Sequence, residues 1–240
     1  MTATLHPGQD SMTMFRRRLL HLRRYPSLTI MLVGQPVLFL LLFVGVLGGT
    51  LGDGLGGTGG RAGYLHFLVP GILVMAVSSV AVGTAVAVAM DVQGGIVARF
   101  RTMAIAPSSV LTGHVLGALA QSALAIAVSM AVAAAMGYRP DAGLLDALGA
   151  VLLLALLALA LTWLTVTFGL VAKSVESASN LPMVLMLLPF LGSGFAPTGS
   201  MPTALRWFAD NQPFTPVIDA LRGLLDGSAA GGDLGLAVSW

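Results

Sequence analysis

Val151-Leu-Leu-Leu-Ala-Leu-Leu-Ala-Leu-Ala-Leu161 lies inside an interval, Ala147 to Ala172, that contains no Asp, Glu, Lys or Arg. A helix needs about 20 consecutive apolar residues to cross the hydrocarbon core of a bilayer. Strands of a closed membrane barrel alternate in character over about 10 residues, and this run does not alternate. It therefore reads as a transmembrane helix. Four further charge-free intervals run from Tyr25 to Gly52, Ala62 to Met90, Thr102 to Tyr138 and Ser177 to Leu205. The expected spans are 28–51, 65–90, 110–136, 147–172 and 177–196. The last residues, Leu234 to Trp240, are too few to cross and read as the start of a sixth span cut off after 234. The fold class is an all-α integral membrane protein, five transmembrane helices plus the beginning of a sixth, in one domain over 1–240.

Composition agrees. Only 9% of the 240 residues are charged and 56% are hydrophobic, whereas a soluble domain carries about 25% charged residues. That balance excludes a soluble enzyme, a disordered chain and a nucleic-acid binder, because too little polar surface exists to cover a water-facing core. There are no cysteines, so no disulfide frame arises. The first apolar run is too long for a cleaved secretory signal.

Basic residues set the orientation. Arg16, Arg17, Arg18, Arg23 and Arg24 precede the first span, and a cytoplasmic amino end also places Arg99, Arg101 and Lys173 inside. Arg61, Arg139, Arg206 and Arg222 then lie outside, so the basic pI reflects topology and not nucleic acid. The expected location is the plasma membrane, multi-pass, with the amino terminus in the cytoplasm.

The segments between spans carry most of the remaining information. In residues 12–24, Met12, Phe15, Leu19 and Leu22 recur at helical spacing, with Arg16, Arg17 and Arg23 on other faces. This is expected to be an interfacial helix held partly by anionic lipid. Eight glycines fall between Gly48 and Gly60, but the G-K-[ST] that ends a phosphate loop is absent. The stretch reads as a flexible turn, and the chain has no nucleotide site of its own. The loop Asp91 to Pro107 is longer than the two to eight residues that usually join antiparallel helices. Within it Ile96, Phe100 and Met103 form an i, i+4, i+7 stripe with Arg99 and Arg101 beside it. A short helix that docks on a partner and a simple surface loop both fit that spacing. Pro197, Pro202, Pro213 and Pro216 divide an outer segment whose two amphipathic stretches, within 203–226, are expected as helices at the outer interface.

The five spans themselves contain no Asp, Glu, Lys or Arg, so an ion-gradient carrier lacks the buried groups it would need. His114, near the inner start of the third span, reads as interfacial. Gly113, Gly117 and Gln121 share one helix face within about 80°, which permits close packing with an interhelical hydrogen bond. With Gln35 and Asn180 they are candidates for helix packing or a substrate path. No catalytic set and no metal-ligand pattern is present.

Three ordered stretches carry a family resemblance. The first runs from Met14-Phe-Arg-Arg-Arg to Tyr25-Pro26, with Gln35-Pro36 in the following span. The second is Tyr64-Leu-His-Phe-Leu-Val-Pro-Gly71, followed by Asp91 to Gly113 with Gly95-Ile96, Arg99-Phe100-Arg101 and Val110-Leu111. The third is Phe195 and Pro197, Met201-Pro202, Leu205-Arg206 and Gln212-Pro213 to Arg222. Together they resemble the membrane permease of type 2 ABC transporters, close to the daunorubicin-resistance efflux permeases of actinobacteria. The resemblance implies six spans, a second permease copy (the same chain or a different one) and separate ABC ATPase subunits that bind ATP and Mg. It implies that Asp91, Gly95, Ile96, Arg99, Phe100, Arg101 and Met103 belong to the segment that meets the ATPase, and that the interfacial helix touches it too. The expected function is a non-catalytic permease moving amphiphilic drugs or antibiotics outward. A polysaccharide or lipid-linked glycan exporter is the alternative within the class. A passive channel or a membrane scaffold is the alternative from another class.

Overall fold

Helix α3 (Gly60–Gln93) organises the molecule. Its 34 residues are about 50 Å of helix, and almost every side chain from Leu68 to Ala81 is buried. The computed structural model describes residues 12, 13, 15, 16, 20, 26–54, 60–95, 107–228 and 231–239. Around α3 stand α1 (Pro26–Gly45), α2 (Gly48–Gly54), α4 (Pro107–Ala135) and α5 (Leu144–Val171). The short helices α6 (Val175–Asn180) and α7 (Met183–Leu187) follow, then α8 (Thr203–Asn211), α9 (Phe214–Leu225) and α10 (Gly231–Ser239). Every regular element among the described residues is helical.

Three of these helices are long and apolar enough to cross a bilayer: Gly60–Gln93, Ser109–Ala135 and Leu144–Val171. Thr29–Gly45 is apolar but shorter. Gly169 near the end of α5 lies against Ala85 and Val88 of α3, while Gly149 near its start meets Leu224 of α9, a helix whose Arg222 reaches the Phe67 carbonyl near the start of α3. So α3 and α5 run parallel. A hydrogen bond between Asp91 and His114 joins the end of α3 to the start of α4, which runs the other way. The uncovered face of α5, with Leu145, Leu148, Leu152, Leu156, Trp163 and Leu164 exposed, is the apolar surface a membrane helix turns to lipid.

The ends of these elements have local causes. Helix α3 stops at two glycines: Gly94 N–H donates to the Met90 carbonyl, and Gly95 takes φ +69°. A residue with a side chain is disfavoured there, so glycine closes the helix. Helix α5 stops at Ala172, which is extended, and Ser174 then caps α6 by accepting from Ser177 N–H at 3.1 Å. Pro202 and Pro213 stand immediately before α8 and α9, where a missing N–H costs nothing.

Several expectations change here. The first span, expected over 28–51, is a 20-residue helix that breaks at Val46 and Leu47 before α2. Helix α3 exceeds its expected 65–90 at both ends and so carries Arg61 and Asp91. The expected span 177–196 is not one helix. It is α6, α7 and then a run of turns from Leu188 to Phe195. Pro182 and Pro189 remove donors, and Gly192 and Gly194 weaken helix formation. Helix α9 packs its apolar face into the protein: Phe214, Val217, Ile218, Leu221 and Leu224 are buried in the core. Of the two outer helices, only α8 stays largely exposed.

A broken segment held by side chains, and the ends of the bundle

A chain that leaves helical geometry inside a membrane protein must find other partners for its carbonyl groups, because lipid offers none. The segment after Leu188 finds them in side chains from other elements. Gln212 Nε2 donates to the Leu188 carbonyl at 2.9 Å. Arg222 Nη2 donates to the Ser193 carbonyl at 2.8 Å. Tyr64 Oη donates to the Phe195 carbonyl at 3.3 Å. The three donors come from the turn before α9, from α9 and from α3.

Arg222 is the hub. Its Nη1 donates to Asp219 Oδ1 at 2.6 Å, and Nη2 also reaches the Phe67 carbonyl at 3.3 Å. Its guanidinium lies 4.3 Å from the centre of the Phe67 ring, a cation–π distance. Ser193 Oγ completes the node by donating to Asp219 Oδ1 at 2.7 Å. Burial lowers the Arg222 pKa from its ordinary value, and Asp219 beside it works in the opposite direction. The pairing is what keeps a largely buried guanidinium tolerable.

Close packing accompanies the hydrogen bonds. A Cβ on Gly71 would stand 2.5 Å from the Gly194 carbonyl oxygen, so α3 and the broken segment touch backbone to backbone. Around this contact four phenylalanines gather. Phe190 stacks on Phe195 with ring centroids 4.1 Å apart, Phe39 meets Phe190 edge-on at 5.3 Å, and Phe43 meets Phe195 at 5.1 Å. At the same end of α3, His66 lies against Tyr138 at 4.7 Å. Burial pushes the Tyr138 hydroxyl well above the ordinary phenol range, with Asp226 and Asp141 adding to the shift.

The residues singled out from sequence fall in different places. Gly113, Gly117 and Gln121 are buried on one face of α4. Ala118 and Ala125, beside Gln121 in the same helix, pack with Val33 of α1 and with Ala76 and Val80 of α3. The expected interhelical bond from Gln121 is not made: its Nε2 is buried without a partner. Gln35 is half-buried on α1, its Nε2 3.6 Å from Met186 Sδ of α7. Asn180 is exposed at the end of α6, apart from the others. Asp91 and Gly95 end α3. Ile96, Arg99, Phe100, Arg101 and Met103 lie outside the described residues, as do Arg17, Leu19, Leu22 and Arg23. Phe15 and Arg16 are helical, the first half-buried and the second exposed.

Sequence reasoning missed three things. Arg222 was counted as an outer charge and not as a buried hub. Phe195 and Gly71 stood in the stretches that carry the resemblance, without a role. The pairing of buried His114 with Asp91 at 3.0 Å has no signal in the sequence. For Gly71 the signal was the Pro70-Gly71 pair within an apolar run, which often marks a close approach.

The description of the ABC-2 type transporter family matches residues 9–225 of the chain. A daunorubicin resistance ABC transporter permease protein, DrrB1, from Streptomyces coeruleorubidus is 29% identical over 229 residues, covering 95% of this chain and 79% of that protein. No solved structure matches the chain. The match covers nearly the whole length of this helical protein, the broken segment included. The chain belongs to the ABC-2 type transporter family.

Proposed function

We propose that the chain is the non-catalytic permease subunit of an ATP-driven exporter that moves amphiphilic drugs or antibiotics out of the cell. It works beside a second permease, identical or different, and takes its energy from a separate ABC ATPase that binds ATP and Mg. One observation carries the reading. The family match and the drug-resistance relative cover most of the chain, yet the middles of its long helices contain no ionisable group to couple an ion gradient. Energy must therefore arrive from another protein. The amino end is cytoplasmic in this reading, and the segment 91–107 meets the ATPase through Arg99 and Arg101.

The test uses the chain expressed with its cognate ATPase, and daunorubicin as a fluorescent probe. Efflux should require ATP and survive collapse of the proton gradient. The Arg99→Glu/Arg101→Glu variant should insert normally but fail to retain the ATPase on purification, and efflux should fall at least tenfold. Efflux without ATP would mark a passive channel or an ion-driven carrier. An unchanged complex in the double variant would remove the docking role from this segment.

A further inference from the structure

The ATPase-facing end of the bundle contains a pair that the permease reading does not by itself explain. Asp91 lies in the last turn of α3 and His114 in the third turn of α4. The His114 Nε2–H donates to Asp91 Oδ2 at 3.0 Å, and the two side chains are 6% and 22% exposed. Neither residue is placed well for its own helix. A carboxylate near a helix C-terminus opposes the dipole, and the His114 Nδ1 is buried without a hydrogen-bond partner. A buried polar pair with an orphaned atom is poor evidence of a gain in stability.

What the pair does hold is geometry. It is a direct tie between α3 and α4 across the 23 positions that separate the two residues. Immediately beside it, Val88 of α3, Val115 of α4 and Val166 of α5 form a small apolar cluster, with Val92 and Leu111 packed against it. One turn of α3 therefore carries both the cluster and the carboxylate. The residues between the tied positions are those proposed to meet the ATPase.

We infer that His114 is a positioning residue for coupling: by holding Asp91, it makes the ends of α3 and α4 one rigid body. A push delivered to the intervening segment then moves the helices and is not lost in local give. The inference rests on the permease reading above.

The experiment measures daunorubicin exported per ATP hydrolysed by the complex of the chain with its ATPase. His114→Leu should still co-purify with the ATPase but export about tenfold less per ATP. His114→Gln, whose amide N–H replaces Nε2–H, should stay within twofold of the wild type. If His114→Leu does not accumulate, His114→Asn, too short to reach the Nε2 position, takes its place. A wild-type ratio in His114→Leu or His114→Asn overturns the inference. So does a glutamine variant as poor as leucine. A wild-type chain that binds no ATPase brings down the permease reading and this inference with it.

Discussion

Gly71→Ala is expected to destabilise the protein by about 2–3 kcal/mol, the upper part of the range for overpacking a close contact. The sign needs an argument, because alanine in a helix interior is favoured over glycine by about 1 kcal/mol. Here the added carbon would sit 2.5 Å from the Gly194 carbonyl oxygen, 2.7 Å from its Cα and 2.9 Å from its carbonyl carbon. All three are backbone atoms, so no side chain can rotate away. Either α3 retreats or the broken segment does, and retreat pulls on the Tyr64 bond to the Phe195 carbonyl. The clash therefore outweighs the helix propensity. Gly63→Ala is the control on the same helix, since nothing lies within 4 Å of a Cβ there, and it should be neutral or slightly stabilising. The check is the fraction of detergent-solubilised protein that remains monodisperse after heating. Gly71→Ala should lose it at a distinctly lower temperature than Gly63→Ala. Equal behaviour would mean that the contact with Gly194 yields freely.

The part of the fold that was legible in sequence is the part that depends on composition along the chain. Helices α3, α4 and α5 follow from charge-free runs, because a helix that crosses hydrocarbon must be apolar whatever its neighbours. The errors at the ends of α3 follow from the same rule. Arg61 and Asp91 can belong to a helix that extends past the hydrocarbon, and counting charges stops short of them. What could not be read is whatever depends on which elements meet. The segment 177–196 reads as a span because it carries no charge, but its carbonyls do not bond within it as a helix's would. Instead the carbonyls of Leu188, Ser193 and Phe195 are served by Gln212, Arg222 and Tyr64, the last of them 131 positions away. The prolines at 182 and 189 were a warning that the helix would break, but not a statement of what would hold the pieces. Helix α9 was likewise legible as amphipathic, while the depth at which its apolar face is buried depends on α3 and α5 already standing there.

The broken segment and its neighbours form the least replaceable part of the protein, and Arg222→Leu should show it. Removing one member of a buried pair costs about 3–5 kcal/mol. The Arg222 and Asp219 side chains are 21% and 33% exposed, so about 2–3 kcal/mol, less than that full cost, is the expectation. Two different debts arise: Asp219 keeps only its bond from Ser193, and the Ser193 and Phe67 carbonyls each lose the donor that Arg222 supplies. They can be separated. Asp219→Leu alone should cost less than Arg222→Leu, because Arg222 retains both carbonyls and the Phe67 ring. Arg222→Lys should rescue little, since an ammonium cannot fork to a carboxylate and two carbonyls while lying flat on a ring. Arg222→Leu/Asp219→Leu is the decisive variant. If the charge pair mattered most, removing both partners would restore much of the stability that Arg222→Leu loses. The expected result is little recovery, because the Ser193 and Phe67 carbonyls still lack the donor that Arg222 supplies. Full recovery would reassign Arg222 to simple charge balance, and the segment would then have to be held by Gln212, Tyr64 and the phenylalanine contacts alone.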